Sequence, residues 1–349
     1  MKKLNVCVLF GGVTPEHERS LQSAEYALNC LDPEKYNIFP VGITKNGDWI
    51  CYGSTDYSKL PSGEWLDCPD NRRAAISPVR GQGLLNFEGD CVVRELIDVV
   101  FPVLHGENGE DGAVQGLLQL ADIPYVGSHV SASAVAMDKS LTKLMADQAK
   151  VTQAAWMLVR NSDVCAAPDP VLDSLEEKFQ YPMFVKPAGT GSCVGVSKAE
   201  NRSELRDALL NAGTFDEKIL VEEFIHGQEV EVAVMGNDSP VASICGEIVS
   251  GDEYITDTSA ACIPAGISDD VAEQVRDAAV KIYRAVGCQG LGLVDFFVTH
   301  EDQQIVFNEI NTLPGFSSAS MFPKLFAASG IPGNELIDQL LQLALEAQK

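Results

Sequence analysis

The chain has 349 residues, enough for two or three domains, and its 46% hydrophobic and 21% charged residues are those of an ordinary globular protein. Twenty-five basic against 50 acidic residues give a formal charge of −25, which argues against nucleic-acid and anionic-membrane partners, because phosphate surfaces are bound through basic footprints. No apolar run approaches the roughly 20 residues that cross a bilayer, and the ten cysteines show neither C-x-x-C pairs nor His/Cys clusters at metal spacing.

The first stretch, "MKKLNVCVLFGG", is basic and then apolar, but it runs into glycines instead of a small-residue cleavage site. It reads as a first core strand of a cytoplasmic protein. A helical pattern over "EHERSLQSAEYALNCL" and a second strand, "YNIFPVGI", complete a βαβ opening, which implies a parallel sheet with ligand sites beyond its strand ends. Residues 53–90 are rich in Gly, Pro, Asp and Ser and read as a loop-rich excursion. "LIDVVFPVLHG" is a further buried strand and "DGAVQGLLQLADI" a helix.

Near residue 128 the texture changes. A helix over "MDKSLTKLMADQA" precedes the strand "YPMFVKP", a glycine-rich turn with a returning strand in "GTGSCVGVSK", and the strand "KILVEEFI". "EVEVAVMG" and "PVASICGEIV" suit antiparallel pairing. "DDVAEQVRDAAVKIYRAVG" is an amphipathic helix, "GLGLVDFFVTHEDQQIVFNEIN" two strands around a polar turn, and "GNELIDQLLQLALEAQ" a closing helix.

Four groups of residues carry chemistry. Glu309 and Asn311 lie two apart in a strand and so share a face, and Asp295 stands on the preceding hairpin strand. Three such oxygen donors suit Mg²⁺ or Mn²⁺ with phosphates completing the shell, although strand-end polar groups facing solvent have the same pattern. In "KPAGTGSCVG", Lys186 ends a strand and Gly189, Gly191 and Gly195 free the loop to bring backbone N–H groups to an anion; a plain hairpin tip reads alike. Lys139 would add a second cation. In "VEEFIHGQEVEV", Glu222, Phe224 and Ile225 would hold a flat base and Glu229 ribose hydroxyls, or would simply be core and solvated residues. Finally, His105 follows a buried strand and precedes several glycines, and Glu16 and Ser20 start the first helix by the same strand-end logic.

In their order, "FGGVTPEHERSLQSA", "FPVLHGENGEDGAVQG", "YVGSHVSASAVAMDKSLTK", "KPAGTGSCVGVSK", "LVEEFIHGQEVEVAV" and "VFNEINTLPGFSSAS" resemble the D-alanine–D-alanine ligases of the ATP-grasp superfamily, with a look close to the vancomycin-resistance D-Ala–D-Ser ligases. The resemblance implies an α/β ATP-grasp fold: a Rossmann-like substrate domain over 1–127, a central ATP-grasp subdomain over 128–226 and a C-terminal subdomain with the metal site over 227–349. It implies ATP-dependent joining of two D-amino acids through an acyl phosphate, for peptidoglycan precursor synthesis, by a homodimer. Carried over by position, Lys139 and Lys186 hold ATP phosphates, Glu222, Phe224, Ile225 and Glu229 form the nucleoside pocket, and Asp295, Glu309 and Asn311 hold two Mg²⁺ (or Mn²⁺) ions. Glu16 meets the first substrate's amino group with His105 nearby, and Ser192 and Tyr254 join Glu16 in closing a lid. The Gly315 N–H faces the oxyanion, and Ser320 and Met321 receive the second substrate, which is D-alanine, D-serine or D-lactate.

Basic positions of the family pattern are altered. Leu293 stands where the family has an arginine aimed at the tetrahedral intermediate, Glu253 where the lid has a lysine, and Gly189 and Cys193 where the phosphate loop has arginine and serine. Arg19, beside Glu16, stands at an ordinarily apolar position and offers a relocated cation. Two other readings therefore stay open on sequence: a nucleotide-binding homologue with little or no ligase chemistry, and an ATP-grasp ligase for a different amino-acid pair.

Overall fold

The computed structural model describes residues 3–191, 194–249 and 260–347. Its first strands, β1 (Leu4–Gly11) and β2 (Tyr36–Ile43), run parallel and are joined by α1 (His17–Cys30). From β2 the sheet continues outward through antiparallel β3 (Trp49–Cys51), β4 (Arg72–Ile76), β5 (Leu84–Glu88) and β6 (Cys91–Glu95), while β7 (Val99–Leu104) returns parallel beside β1. The stretch 53–90 is therefore not only loop, since β4 and β5 lie within it. These five-residue strands bury few side chains, and their connection turns through Gly81 and Gly83 at positive φ. Turn-forming composition hides strands this short. β1 is apolar on both faces because both are covered: Val6, Val8 and Phe10 pack with Leu21, Ala24 and Leu28 of α1, and Cys7 and Leu9 with Val114 and Leu118 of α2 (Ala113–Ala121).

Two helices, α3 (Val130–Met137) and α4 (Lys139–Ala149), lead out of this unit. Asp138 caps α4 by accepting the Ser140 and Leu141 N–H groups, which holds Lys139 at the helix start. A four-stranded antiparallel sheet follows, built from β8 (Trp156–Arg160), β9 (Met183–Pro187), β10 (Ser197–Ala199) and β11 (Lys218–Glu223) in the order β10-β9-β11-β8. Helices α5 (Asn161–Ala166), α6 (Pro168–Lys178) and α7 (Arg202–Ala212) cover one face, where Met183, Val185, Ile219 and Val221 meet Leu172, Leu175, Leu205 and Leu209. The two-residue period of a strand then turns Lys186 and Glu222 to the other face.

The third sheet is antiparallel in the order β14-β13-β12-β15-β16, from β12 (Gly227–Met235), β13 (Val241–Val249), β14 (Ala260–Cys262), β15 (Leu291–Thr299) and β16 (Ile305–Asn311). One face, with Val230, Val232, Val234, Val294, Phe296 and Val298, packs on α8 (Asp269–Val286). The alternate residues Glu229, Glu231 and Asp295 are thereby committed to the opposite face. In β16 the register against β15 slips: Asp295 pairs with Glu309 but Phe296 pairs with Phe307, leaving Asn308 as the extra residue of a β-bulge. The bulge sends Phe307 to the core while Glu309 and Asn311 stay on the acidic face. α9 (Met321–Ala328) packs on β12 and β13 of the third sheet, and α10 (Gly333–Ala347) folds back onto β7 and α1 of the first unit, where Leu336, Ile337 and Leu340 join the core that contains Val6 and Val99. Among the described residues no helix is long and apolar enough to cross a membrane.

Candidate active site

The ends of β1 and β7 supply one wall. Gly11 turns at φ +87°, and a Cβ there would stand 2.1 Å from the Ile43 carbonyl oxygen, so only glycine lets the chain leave β1. Ser20 accepts the Gly11 N–H at 2.7 Å and donates to the Val103 carbonyl, tying α1 to both strands. Glu16 sits at the start of α1 with its carboxylate over the β7 loop: a Cβ on Gly106 would lie 2.3 Å from its Oε2. A Cβ on Gly191 would be 3.6 Å from both Glu16 Oε2 and Glu110 Oε2, which brings the glycine-rich loop of the second sheet to the same place.

His105 is buried, with Nδ1 3.2 Å from the Leu313 carbonyl oxygen and Nε2 3.1 Å from Ser23 Oγ. The carbonyl can only accept, so Nδ1 carries a proton. Ser23 in turn accepts the Phe316 N–H at 3.1 Å. His105 and Ser23 thus fix both ends of the loop that carries Gly315. Within it Ser320 Oγ accepts the Ser317 N–H at 3.0 Å, and a Cβ on Gly315 would meet Ser320 Oγ at 2.8 Å and Arg19 Nη2 at 3.2 Å. Met321 opens α9 and lies over Gly246 of β13, where an added Cβ would approach its Cε to 2.5 Å. Leu293 packs partly buried against the core that includes Leu313 and Phe316.

The second wall is cationic. Lys186 Nζ lies 2.7 Å from Glu222 Oε2 and 3.2 Å from Asn308 Oδ1, the residue the bulge displaces. Lys139 Nζ donates to the Thr190 carbonyl at 2.8 Å and stands 3.7 Å from Glu309 Oε2. Beneath them Lys143, one helical turn after Lys139, pairs with Glu222 Oε1. Burial alone would raise the Glu222 carboxyl, but Lys186 and Lys143 hold it down at about 2. Burial pushes the Lys143 ammonium down against the pull of Glu222, whereas at Lys186 the attraction of Glu222 and Glu309 overcomes burial and leaves its pKa raised. Phe224 is exposed, stacks at 5.9 Å on Phe184 and carries Lys198 over its ring at 5.3 Å; Ile225 is half-buried beside it.

Facing these lysines is the acidic row. Glu231 pairs across strands with Asp295, and Asp295 with Glu309. Burial and mutual repulsion push these carboxyls up: Glu229 to about 7, chiefly by burial and Glu309, and Glu231 to about 8, by burial, Glu229 and Glu309. Asp295 is driven well above the carboxylate range by burial and then by Glu231, Glu309 and Glu229. Asp295 Oδ1 and Glu231 Oε2 are buried without a hydrogen-bond partner, and Asn311 Oδ1 accepts the Leu313 N–H at 2.8 Å. Carboxylates that repel one another and hold partnerless buried oxygens are short of positive charge, which fits a divalent cation. Among the described residues no three carboxylate, imidazole or thiolate groups are already gathered at ligating distance of one point, so the fit is that of Asp295 and Glu309 with the Asn311 carboxamide, completed by ligand oxygens.

These contacts bring Glu16 to the Gly191 loop, Lys139 and Lys186 to Glu309, Glu222 and Asn308, and Asp295 between Glu231 and Glu309, with His105 buried behind the loop that carries Gly315 and Ser320. Ser192, Cys193, Glu253 and Tyr254 lie outside the described residues. Lys143, Glu231, Ser23 and Asn308 were not singled out on sequence. Lys143 and Glu231 each follow a chosen residue at the period of its element, four on from Lys139 in a helix and two on from Glu229 in a strand, and that spacing is the signal that would have found them.

Comparison with known proteins gives a consistent picture. The family model described as D-ala D-ala ligase N-terminus matches residues 5–128, and that described as D-ala D-ala ligase C-terminus matches residues 145–342. The D-alanine–D-alanine ligase of Acetivibrio thermocellus is 45% identical over 99% of this chain and 96% of its own length, and that of Caldicellulosiruptor bescii 43% identical over 100% and 97%. Among solved structures, the VanG D-Ala:D-Ser ligase from Enterococcus faecalis superposes with a TM-score of 0.89 at 34% identity, over 98% of this chain and 100% of that one. The D-alanine–D-alanine ligase from Coxiella burnetii gives 0.89 at 34% identity, over 100% and 95%.

Proposed function

The chain belongs to the D-alanine–D-alanine ligase family, and from that membership we propose that it is an ATP-dependent ligase joining two D-amino acids through an acyl phosphate. The observation that carries this reading is the opposition of Lys139 and Lys186 to the row Glu231, Asp295 and Glu309, in which the partnerless oxygens of Glu231 and Asp295 call for a cation. A polyphosphate with its divalent ions supplies the charge each wall lacks.

In this reading Lys139 and Lys186 hold the phosphates of ATP, and Glu222 keeps Lys186 charged and fixed from below. Glu222, Phe224 and Ile225 form the pocket for the base and Glu229 takes the ribose. Asp295, Glu309 and Asn311 would hold Mg²⁺ or Mn²⁺, two ions being expected, which neutralises polyphosphate charge during transfer. A carboxylate is a poor electrophile and phosphorylation gives it a leaving group, so the chain's share of the work is positioning and charge neutralisation. Glu16 faces the amino group of the first D-alanine, with His105 behind the loop, and Ser192 and Tyr254 contribute to closure. The Gly315 N–H meets the developing oxyanion. Ser320 and Met321 receive the acceptor, for which D-alanine, D-serine and D-lactate are the candidates. The three sheets correspond in this reading to units over 1–127, 128–226 and 227–349.

The test is phosphate release from ATP and Mg²⁺ with and without D-alanine, with the product identified by mass. D-alanine-dependent release with dipeptide formed is expected. ATP binding without release for D-alanine, D-serine or D-lactate would defeat the proposal.

A further inference from the structure

Arg19 is a residue the family reading leaves without a task, and the structure sets it between Glu16 and the loop that carries Gly315. On α1 it lies one turn after Glu16, with Nη1 3.8 Å from Glu16 Oε1. That is an ion-pair distance too long for a hydrogen bond, and among the described residues the guanidinium donates no hydrogen bond to the protein. Its Nη2 and Nε approach the position of a Gly315 Cβ to 3.2 and 3.4 Å, so one edge of the guanidinium fork faces the Gly315 backbone beside Ser320 Oγ. The side chain is 38% exposed, so it is not sealed in the core. The lysines stand elsewhere: Lys139 and Lys186 are engaged by Thr190, Glu309, Glu222 and Asn308. From β15 the residue nearest in register to the acidic row is Leu293, which brings no charge.

We propose that Arg19 is a catalytic residue, whose guanidinium edge, together with the Gly315 N–H, holds the oxyanion formed in the peptide-forming step. This rests on the ligase reading. In that step the acceptor's amine lone pair forms the C–N bond at the acyl-phosphate carbon and the C=O π pair moves onto the carbonyl oxygen. That pair then returns, the C–O bond to phosphate breaks, inorganic phosphate leaves, and the nitrogen's extra proton passes to water. The oxygen is negative only between these two events. It forms in a chain of net charge −25, near Glu16 and Glu231. A neutral N–H alone faces that field poorly, and a planar guanidinium fork gives a second charge-assisted donor at one oxygen.

The experiment compares the wild-type enzyme with Arg19→Ala and Arg19→Lys, measuring kcat and KM for ATP and for D-alanine at its acceptor site. It also measures capture of the acyl phosphate by added hydroxylamine. Loss of an oxyanion donor typically costs about 10²–10³ in rate, so Arg19→Ala should lose that much kcat with both KM values within a few-fold. Hydroxamate should still form, Arg19→Lys should recover part of the rate, and guanidinium ion added to Arg19→Ala should restore some turnover. An Arg19→Ala enzyme with unchanged kcat overturns the assignment, as does one whose loss lies wholly in the acceptor KM, which would make Arg19 a carboxylate anchor. If the wild-type chain itself shows no D-alanine-dependent phosphate release, the ligase reading falls and this assignment with it.

Discussion

Glu231 and Asp295 face each other across β12 and β15, each with one buried carboxylate oxygen that no donor reaches. Two acids in that relation are stable together only while at least one carries its proton or a cation lies between them. The arrangement makes the metal-free protein sensitive to pH. Carboxyls raised in the folded state stabilise it fully below their unfolded values and lose that contribution as pH rises through the folded ones, here about 7 for Glu229 and about 8 for Glu231.

Metal-free protein should therefore melt at falling temperature from pH 5.5 to 8.5, and Glu231→Gln should flatten the slope. Mg²⁺ displaces protons as it binds, so its protection should grow with pH, with affinity rising by up to about tenfold per pH unit for each proton released. Thermal melts at several pH values with and without Mg²⁺ check this. A Mg²⁺ shift independent of pH would refute it.

Glu222 sets the opposite case. Held at about 2 by Lys186 and Lys143, it contributes stability above its ordinary pKa that is lost as pH falls from about 4 toward 2. Glu222→Leu should cost about 3–5 kcal/mol, because two ammonium groups then stay buried without their partner. Lys143→Met should cost less, since Lys186 still neutralises the carboxylate. Adding Lys143→Met to Glu222→Leu should recover part of the loss, which urea melts of the three variants would show.

His105 acts through the loop it holds. His105→Ala removes the contacts to Leu313 and Ser23 and with them the fixed position of Gly315. Misplacing a catalytic group by about 1 Å can cost up to about 10²-fold. The expected result is a fall in kcat of that order with the KM for ATP unchanged. A fall only in ATP affinity would show that the loop is not what His105 governs.

Gly106 tests the position of Glu16. It turns at φ +73°, and a Cβ would stand 2.3 Å from Glu16 Oε2. Gly106→Ala should raise the KM for the first D-alanine while ATP binding by calorimetry stays as in the wild type. Equal effects on both ligands would point to general unfolding.

The placement of several of these residues follows from the sequence itself. The shared face of Glu309 and Asn311 follows from strand period, and the end of a parallel strand locates His105 and Glu16. Period fails where the backbone breaks it. By simple alternation Phe307 and Glu309 would share a face; the bulge at Asn308 separates them, and nothing in "IVFNEIN" announces it. Lys143 lies on a helix, where a lysine is usually solvated, and its burial depends on Glu222 of β11, 79 positions further along the sequence. The strands β4 and β5 were missed because five residues with few buried positions carry too little pattern to outweigh their turn-rich surroundings.

The return of α10 to the first sheet has a consequence for how the protein is made. Leu336, Ile337, Leu340 and Leu341 cover the same core as Val6, Leu28 and Val99. Part of the first sheet's apolar face is covered by residues more than two hundred positions downstream, so that cover is the later to be synthesised. Until those residues arrive the apolar face is open to water, the kind of transiently exposed surface that favours association between partly folded chains.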